Sequence, residues 1–218
     1  MLTKIKKFMN LPISRKLQFL SATYQKLKTQ TFYKMVFKSM GSRSVIKNPM
    51  FITPEYIFIG KDVHISHDAR IEGIGNWGKN QIYNPKIIFE DGVSFEQRCH
   101  ITSADRLIIG KNTIALFDVM ITNIDHEYED LSIPVRKQPL IIKKTQIGEN
   151  CFIGSGAKIQ AGTILGRHCV VGTNAVVRGN FPDYSVIVGV PAKIVKRYDE
   201  VSRKWKKTNS KGEFLDEI

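Results

Sequence analysis

Aliphatic residues recur at every sixth position in the second half of the chain. From Ile147 the chain contains six consecutive blocks, most with glycine at position two and a small residue at position five: IGENCF, IGSGAK, IQAGTI, LGRHCV, VGTNAV and VRGNFP. A strand has period two and a helix period 3.6, so neither explains this spacing. Six residues form one short strand and one sharp corner. Three such units predict a triangular coil, and stacked coils bury their position-one side chains.

The same phase recurs upstream of the main run. Further blocks begin at Ile59, Ile65, Phe89, Phe95 and Ile109. A short internal repeat of this kind determines the architecture of the whole array. We therefore expect an all-β fold, a parallel β-helix over residues 55–198.

The three cysteines fall in one register of the repeat. Cys99, Cys151 and Cys169 all occupy position five, the small inward position. A buried thiol there behaves as a small hydrophobic group. We expect inert thiols in a reducing compartment, with no disulfide and no metal.

Four segments depart from the repeat. Residues 1–54 precede the array, and their apolar residues between positions 14 and 40 recur at helical spacing, which predicts an N-terminal helical segment. Residues 73–85 are rich in glycine and asparagine and indicate a loop. The longer interruption at residues 122–146 predicts a second, extruded loop, and residues 199–218 form a charged tail.

Positive charge is concentrated in the first segment. The net charge is +13, and residues 1–54 carry eleven of the 33 Lys and Arg residues but none of the 20 Asp and Glu residues. Such a segment fits either peripheral contact of residues 1–47 with an anionic membrane or a helix packed on its own domain. No nucleic-acid-binding motif accompanies the charge. Apolar runs are too short for a membrane span and no secretory signal is evident, so we expect a cytoplasmic protein, which membrane contact would place at the inner face of the cell membrane.

His126 is the histidine most suited to catalysis. It lies where the array opens into the long loop, between Asp125 and Glu127, whereas the other four histidines lie inside repeats. Functional groups concentrate on such loops. Acidic neighbours can orient one ring nitrogen and raise the basicity of the other, which predicts a general base.

Two longer motifs resemble a known family. The run IGENCFIGSGAKIQAGTILGRHCVVGTNAVV, followed by GVPAKIVK, is similar to the hexapeptide-repeat acyltransferases over roughly residues 55–198. The likeness is to the branch of galactoside, maltose and Nod-factor O-acetyltransferases, which includes capsule and O-antigen enzymes. It implies left-handed winding of the β-helix, a homotrimer, and direct acetyl transfer from acetyl-CoA with His126 as the base and no metal.

The resemblance also implies further site residues. It assigns acetyl-CoA contacts to Ser155, Thr173, Arg178, Gly179, Pro191, Lys193 and Lys196. Glu96 and Asp125 are candidate acceptor contacts. The sequence has Glu96 where the sugar acetyltransferases often place Asn, and Phe152 where they have Trp before the IGS block. The acceptor is expected to be a saccharide, free or linked to a lipid or nucleotide, and to differ from that of the small sugar acetyltransferases.

Three alternatives stay open at this point. One is an N-acyltransferase acting on a nucleotide-linked amino sugar, which would share the fold and the donor. Another is a zinc carbonic anhydrase, because His64, His100 and His126 all occupy position six and zinc needs three converging imidazoles. The last is a β-helix without catalytic activity.

Overall fold

Three parallel sheets enclose the core of the molecule. The computed structural model describes residues 8–78 and 80–215, and the chain winds through these as a left-handed parallel β-helix that visits each sheet once per coil. The first face contains β1 (Ser39–Met40), β4 (Ile57–Ile59), β9 (Lys86–Phe89), β12 (Arg106–Ile109), β17 (Thr145–Ile147), β20 (Ile164–Leu165) and β23 (Asn180–Phe181).

The other two faces complete each coil. The second face contains β2 (Val45–Ile46), β5 (His64–Ile65), β10 (Ser94–Phe95), β13 (Ile114–Ala115), β18 (Phe152–Ile153), β21 (Val170–Val171) and β24 (Ser185–Gly189). The third face contains β3 (Phe51–Ile52), β6 (Arg70–Gly73), β11 (His100–Ser103), β14 (Met120–Thr122), β19 (Lys158–Ile159) and β22 (Val176–Val177). We call the edge between the second and third faces the second corner, and the edge between the third and first faces the third corner.

Position-one side chains form the core. On the first face Ile109 pairs with Phe89 below it and Ile147 above it, and all three are at most 1% exposed. The core is therefore a stack of side chains in register. The three cysteines are buried with it and are free thiols, and burial raises the pKa of Cys99 to about 12.

Glycine at position two is explained by the close spacing of the coils. A Cβ on Gly148 would lie 2.4 Å from the carbonyl oxygen of Gly166 on the next coil. One on Gly110 would lie 2.5 Å from the backbone of Gly148. Parallel strands about 4.8 Å apart leave no room for a side chain at this point of the corner.

The β-helix begins earlier than the block pattern led us to expect. The helical part comprises α1 (Ile13–Lys28), a π-helical turn (Thr29–Tyr33) and α2 (Lys34–Val36). Strands β1, β2 and β3 follow at once, so residues 39–52 form the first coil rather than the end of a helical segment reaching residue 54. None of the helices in the described residues is long and apolar enough to cross a membrane.

Helix α1 directs its apolar side chains outward. The helix and the π-helical turn after it contact the β-helix through polar groups: Gln25 of α1 and Thr29 of the turn are buried, and Thr29 Oγ1 accepts a hydrogen bond from the Ile46 amide at 3.0 Å. The large apolar side chains are exposed, among them Ile13, Leu17, Phe19, Leu20, Tyr24 and Leu27. Packing of the helix on its own domain therefore leaves the apolar surface uncovered.

Two loops leave the β-helix at the third corner. The first loop (residues 74–85) contains an antiparallel hairpin of β7 (Asn76–Trp77) and β8 (Gln81–Ile82). The second loop (residues 123–144) contains the antiparallel pair β15 (Ile124–His126) and β16 (Leu140–Ile142), with a 3₁₀ turn at Val135–Lys137. The single coil between them closes this corner tightly, so the loops lie one above the other. A 3₁₀ turn at Pro54–Tyr56 occupies the same corner between β3 and β4.

The second face ends in antiparallel strands. After β24 the chain turns at Val190–Pro191 into β25 (Ala192–Asp199) and then β26 (Lys204–Lys207). The expected tail thus begins as a strand, and the Tyr198 and Trp205 rings meet with centroids 5.7 Å apart.

Candidate active site

His126 ends a short strand at the third corner. In β15 it pairs with Leu140 of β16, and its side chain is exposed. Adjacent residues of a strand point to opposite sides, so His126 and Asp125 face different surroundings.

Asp125 is held by two cations. Its Oδ2 accepts from Arg178 Nη2 at 2.7 Å and from Lys143 Nζ at 3.3 Å. Asp125, predicted to contact the acceptor, and Arg178, predicted to contact acetyl-CoA, are therefore brought together as partners of each other. Their ion pair fixes β15 to the corner of the next coils.

The acidic neighbours have partners other than the imidazole. Glu127 accepts hydrogen bonds from the amides of Tyr128 and Glu129, while Asp125 is bound by the cations. Strand alternation turns Asp125 away from the imidazole and Glu127 caps its own turn, so the orientation of His126 by these carboxylates stays a prediction.

Aromatic contact with His126 comes from the first loop instead. The Trp77 ring centroid lies 5.2 Å from that of His126, with the planes tilted by 51°. Trp77 Nε1 donates to the Gln138 carbonyl oxygen at 2.9 Å, and the Leu140 amide donates to Tyr83 Oη at 3.2 Å. Sequence reasoning missed Trp77, Tyr83 and Gln138. Trp77 was visible as a large aromatic residue in a glycine-rich loop, but nothing in the sequence indicated its partner.

A cavity of about 560 Å³ opens beside His126 on the third face. An ion pair between Arg70 and Glu72 lies in it, with His100 next to them on β11. Desolvation lowers the pKa of His100, and the charge of Arg70 adds to the effect. The rest of the lining is apolar or hydroxylic: Met50, Ile74, Trp77, Thr102, Met120, Thr122 and Ile124.

The residues predicted to bind acetyl-CoA fall into three groups. Ser155 and Thr173 lie on successive coils at the second corner, where the Asn174 amide donates to the Ser155 carbonyl oxygen at 2.9 Å. Arg178 and Gly179 lie at the third corner between β22 and β23, beside Asp125. The third face separates these first two groups.

The remaining predicted donor contacts lie at the end of the second face. Pro191 forms the exposed turn after β24, above the second corner. Lys193 pairs with Val188, and Lys196 with Val186, in the antiparallel ladder. Both lysines are exposed.

Glu96 lies away from His126. It follows β10 at the second corner, whereas His126 is at the third. Its charge acts on His64 of the second face. The two candidate acceptor residues, Glu96 and Asp125, are therefore not brought together.

Of the three histidines of the zinc alternative, His100 and His126 line the same cavity, whereas His64 is not part of it. His64 is on the second face, His100 on the third and His126 on the second loop. Within residues 8–78 and 80–215, no group of three or more His, Cys, Asp or Glu side chains is placed to hold a metal ion. The arrangement suits proton transfer by a single imidazole beside a cavity.

Comparison with known proteins agrees with the repeat. Residues 144–179 match the family described as bacterial transferase hexapeptide (six repeats). A solved N-acyltransferase from Bacillus cereus, in complex with dTDP and 3-hydroxybutyryl-CoA, superposes with a TM-score of 0.65 at 16% identity, covering 80% of this chain and 90% of that one. A maltose O-acetyltransferase from Clostridium difficile gives 0.56 at 19% identity, covering 85% and 86%. The chain thus carries a hexapeptide-repeat array of the bacterial transferase type and has the left-handed β-helix fold.

Two curated relatives share a higher sequence identity with the chain than these solved structures do. A probable acetyltransferase of Mycobacterium tuberculosis is 34% identical over 162 residues, 71% of this chain and 54% of the relative. A putative lipopolysaccharide biosynthesis O-acetyl transferase of Escherichia coli is 36% identical over 128 residues, 56% of this chain and 65% of the relative. The matches span between about half and two thirds of the length of these relatives.

Proposed function

We propose that the protein is an acetyl-CoA-dependent O-acetyltransferase that modifies a sugar hydroxyl during synthesis of a surface polysaccharide, with His126 as general base. The observation that carries this is the position of His126. It stands on a short fixed strand beside a 560 Å³ cavity, at the third corner of a transferase hexapeptide array.

The reaction needs one base and one site for developing charge. Neutral His126 takes the proton from the acceptor hydroxyl, and the oxygen attacks the thioester carbonyl of acetyl-CoA. The tetrahedral intermediate collapses, the C–S bond breaks, and the CoA thiolate takes the proton from the imidazolium. No acyl-enzyme is formed. Cys151 is buried and plays no part.

Acetyl-CoA is proposed to lie along the second corner and across the third face. Ser155 and Thr173 offer hydroxyl and backbone groups there, and Pro191 flanks the same corner at the upper end. Lys193 and Lys196 supply exposed positive charge for phosphates.

The third corner bounds the donor path on the other side. Gly179 is placed there, where its backbone can approach the donor closely. A contact from Arg178 competes with its ion pair to Asp125, so we assign Arg178 chiefly to holding β15.

The acceptor is proposed to enter the cavity beside His126. The charges of Arg70 and Glu72 and the imidazole of His100 provide polar partners for a saccharide. Asp125 is engaged by Arg178 and Lys143, and Glu96 lies at the second corner, so neither is assigned to acceptor contact within a single copy of the chain. The acceptor is a free, nucleotide-linked or lipid-linked sugar.

A homotrimer is the proposed assembly. Exposed apolar residues on the second face, such as Ile114 and Phe152, suit contact between copies. Light scattering should give three times the 24.8 kDa chain mass. A monomer that is fully active would contradict the assembly.

Peripheral membrane contact of residues 1–47, at the cytoplasmic face, is the proposed location. Within the described part of this segment, exposed Leu17, Leu20 and Tyr24 share α1 with Arg15 and Lys16. Apolar groups with flanking cations fit an anionic lipid surface. Co-sedimentation with vesicles containing phosphatidylglycerol should exceed that with neutral vesicles, and a paired Leu17→Glu, Leu20→Glu variant should abolish the difference.

The test of the activity is a panel of saccharide acceptors incubated with acetyl-CoA. We expect CoA release and a product heavier by one acetyl group, which mild alkali removes as an ester. A product stable to alkali is an amide and would establish the N-acyltransferase alternative. No transfer to any acceptor, with the protein folded, contradicts the proposal.

A further inference from the structure

The two extruded loops meet at the proposed base. Trp77 of the first loop packs on the His126 ring with centroids 5.2 Å apart, and its Nε1 donates to Gln138 O at 2.9 Å, a contact between residues 61 positions apart. The indole therefore touches both the imidazole and the segment that leads into β16.

The second loop is internally fixed where Trp77 docks. Gln138 is 1% exposed, and its Nε2 donates to the carbonyl oxygens of Asp130 and Ile133 at 2.8 and 3.0 Å. Tyr83 Oη accepts from the amide of Leu140, the residue paired with His126. The first loop thus docks on a rigid part of the second.

Strand β15 is constrained on both sides. The ion pairs of Asp125 with Arg178 and Lys143 hold one side, and the Trp77 ring covers the other. The ion pairs fix the backbone but leave the imidazole free to turn, because the χ2 torsion of histidine is broad. Only Trp77 among these residues contacts the ring itself.

We propose that Trp77 is a positioning residue that orients the imidazole of His126 through ring contact and its hydrogen bond to Gln138. This rests on the proposed function of His126. A base must sit within a fraction of an ångström of its proton donor, and misplacement by about 1 Å costs roughly 100-fold in rate. The first loop therefore sets the reactivity of a residue on the second.

Steady-state kinetics separate positioning from folding. Trp77→Ala should lower kcat roughly 100-fold while the KM for acetyl-CoA stays unchanged. Trp77→Phe keeps a ring against the imidazole but lacks the N–H donor, so its kcat should fall between those of Trp77→Ala and the wild type. Trp205→Phe, in the C-terminal strands, is the matched control and should retain wild-type kcat. Wild-type kcat in Trp77→Ala overturns the proposal.

Fluorescence tests the ring contact without any acetyl transfer. The chain has two tryptophans, so in the Trp205→Phe background Trp77 is the sole emitter. His126→Ala should expose the Trp77 ring to water and shift its emission to longer wavelength. The control is His168→Ala. The ring of His168 contacts Tyr184 and not Trp77, so this substitution should leave the emission unchanged.

The two measurements distinguish the possible failures. If His126→Ala leaves the emission wavelength of Trp77 unchanged, the two rings are not in contact and the positioning role is overturned. If His126→Ala shifts the emission but the wild-type protein transfers no acetyl group to any acceptor, the enzymatic assignment is rejected, and the positioning role with it, while the contact between the loops stands.

Discussion

The coils and the two extruded loops are organised by different rules. In the coils, each residue's place follows from its register: position one is buried, and the glycines at position two lie against the neighbouring backbone. In the loops, the decisive contact joins Trp77 to Gln138 and His126 across two separate segments. The coils therefore provide stability, and the loops are expected to provide the chemistry. Substitutions should separate the two.

The largest expected effect on stability is in the core. Ile159 is fully buried between Ile121 and Val177 of adjacent coils. Ile159→Ala should lower the free energy of unfolding by about 2–5 kcal/mol, measured by urea denaturation. Ile82→Ala, at an 83% exposed position in the first loop, should change it by less than about 0.5 kcal/mol. Equal effects would erase the distinction between coils and loops.

A smaller loss of stability is expected when a side chain is added at position two of the repeat. The Cβ of Gly148→Ala would lie 2.4 Å from Gly166 O, so the coils must move apart. We expect destabilisation of about 1–3 kcal/mol and a lower melting temperature. An unchanged melting temperature would show that close spacing of the coils is not the reason for glycine at position two.

Two ion pairs of similar kind compare loop and coil directly. Asp125 binds Arg178 in the loop, and Asp118 binds Arg98 at a coil corner, with both pairs exposed. Each Asp→Asn change should cost less than about 1 kcal/mol of stability. Asp125→Asn should also lower kcat roughly 10-fold by loosening β15, whereas Asp118→Asn should leave kcat unchanged. Equal kcat in both variants contradicts the role of the Asp125 pair.

The smallest effect concerns a coil histidine. Desolvation, with the charge of Lys47, lowers the pKa of His64, partly offset by Glu96, and His67 acts in the same direction as Lys47. As the pH falls, the unfolded state therefore takes up a proton on His64 before the folded state does. The contribution of neutral His64 to stability is complete above pH 6.5 and is lost as the pH falls towards the lowered pKa of the folded state. His64→Gln should reduce the drop in melting temperature between about pH 7 and 5. A steeper drop in the melting temperature of His64→Gln than in that of the wild type would contradict a lowered pKa for His64.

Much of the fold could be predicted from the period. The strands, the buried cysteines and the long loop lie where the repeat places them. The first coil was missed although Met40, Ile46 and Ile52 are also six residues apart, because the basic charge and helical spacing of the same segment drew attention to a helix.

Less of the site could be predicted. The opening of the array at His126 is visible in the sequence, but its aromatic neighbour is not, since Trp77 reaches it only when two loops leave the same corner on nearby coils. The direction of a side chain in an irregular loop depends on such tertiary contacts. The outward-facing apolar stripe of α1 was equally hidden, because periodicity shows an amphipathic helix without showing what covers it.

The central claim is tested most directly by His126→Ala. Acetyl-CoA turnover should be measured with a responsive saccharide acceptor, together with the melting temperature. We predict a loss of about 10²–10⁴-fold in kcat with unchanged stability, since His126 is an exposed loop residue outside the core. Wild-type turnover in a folded His126→Ala protein would contradict its role as the base.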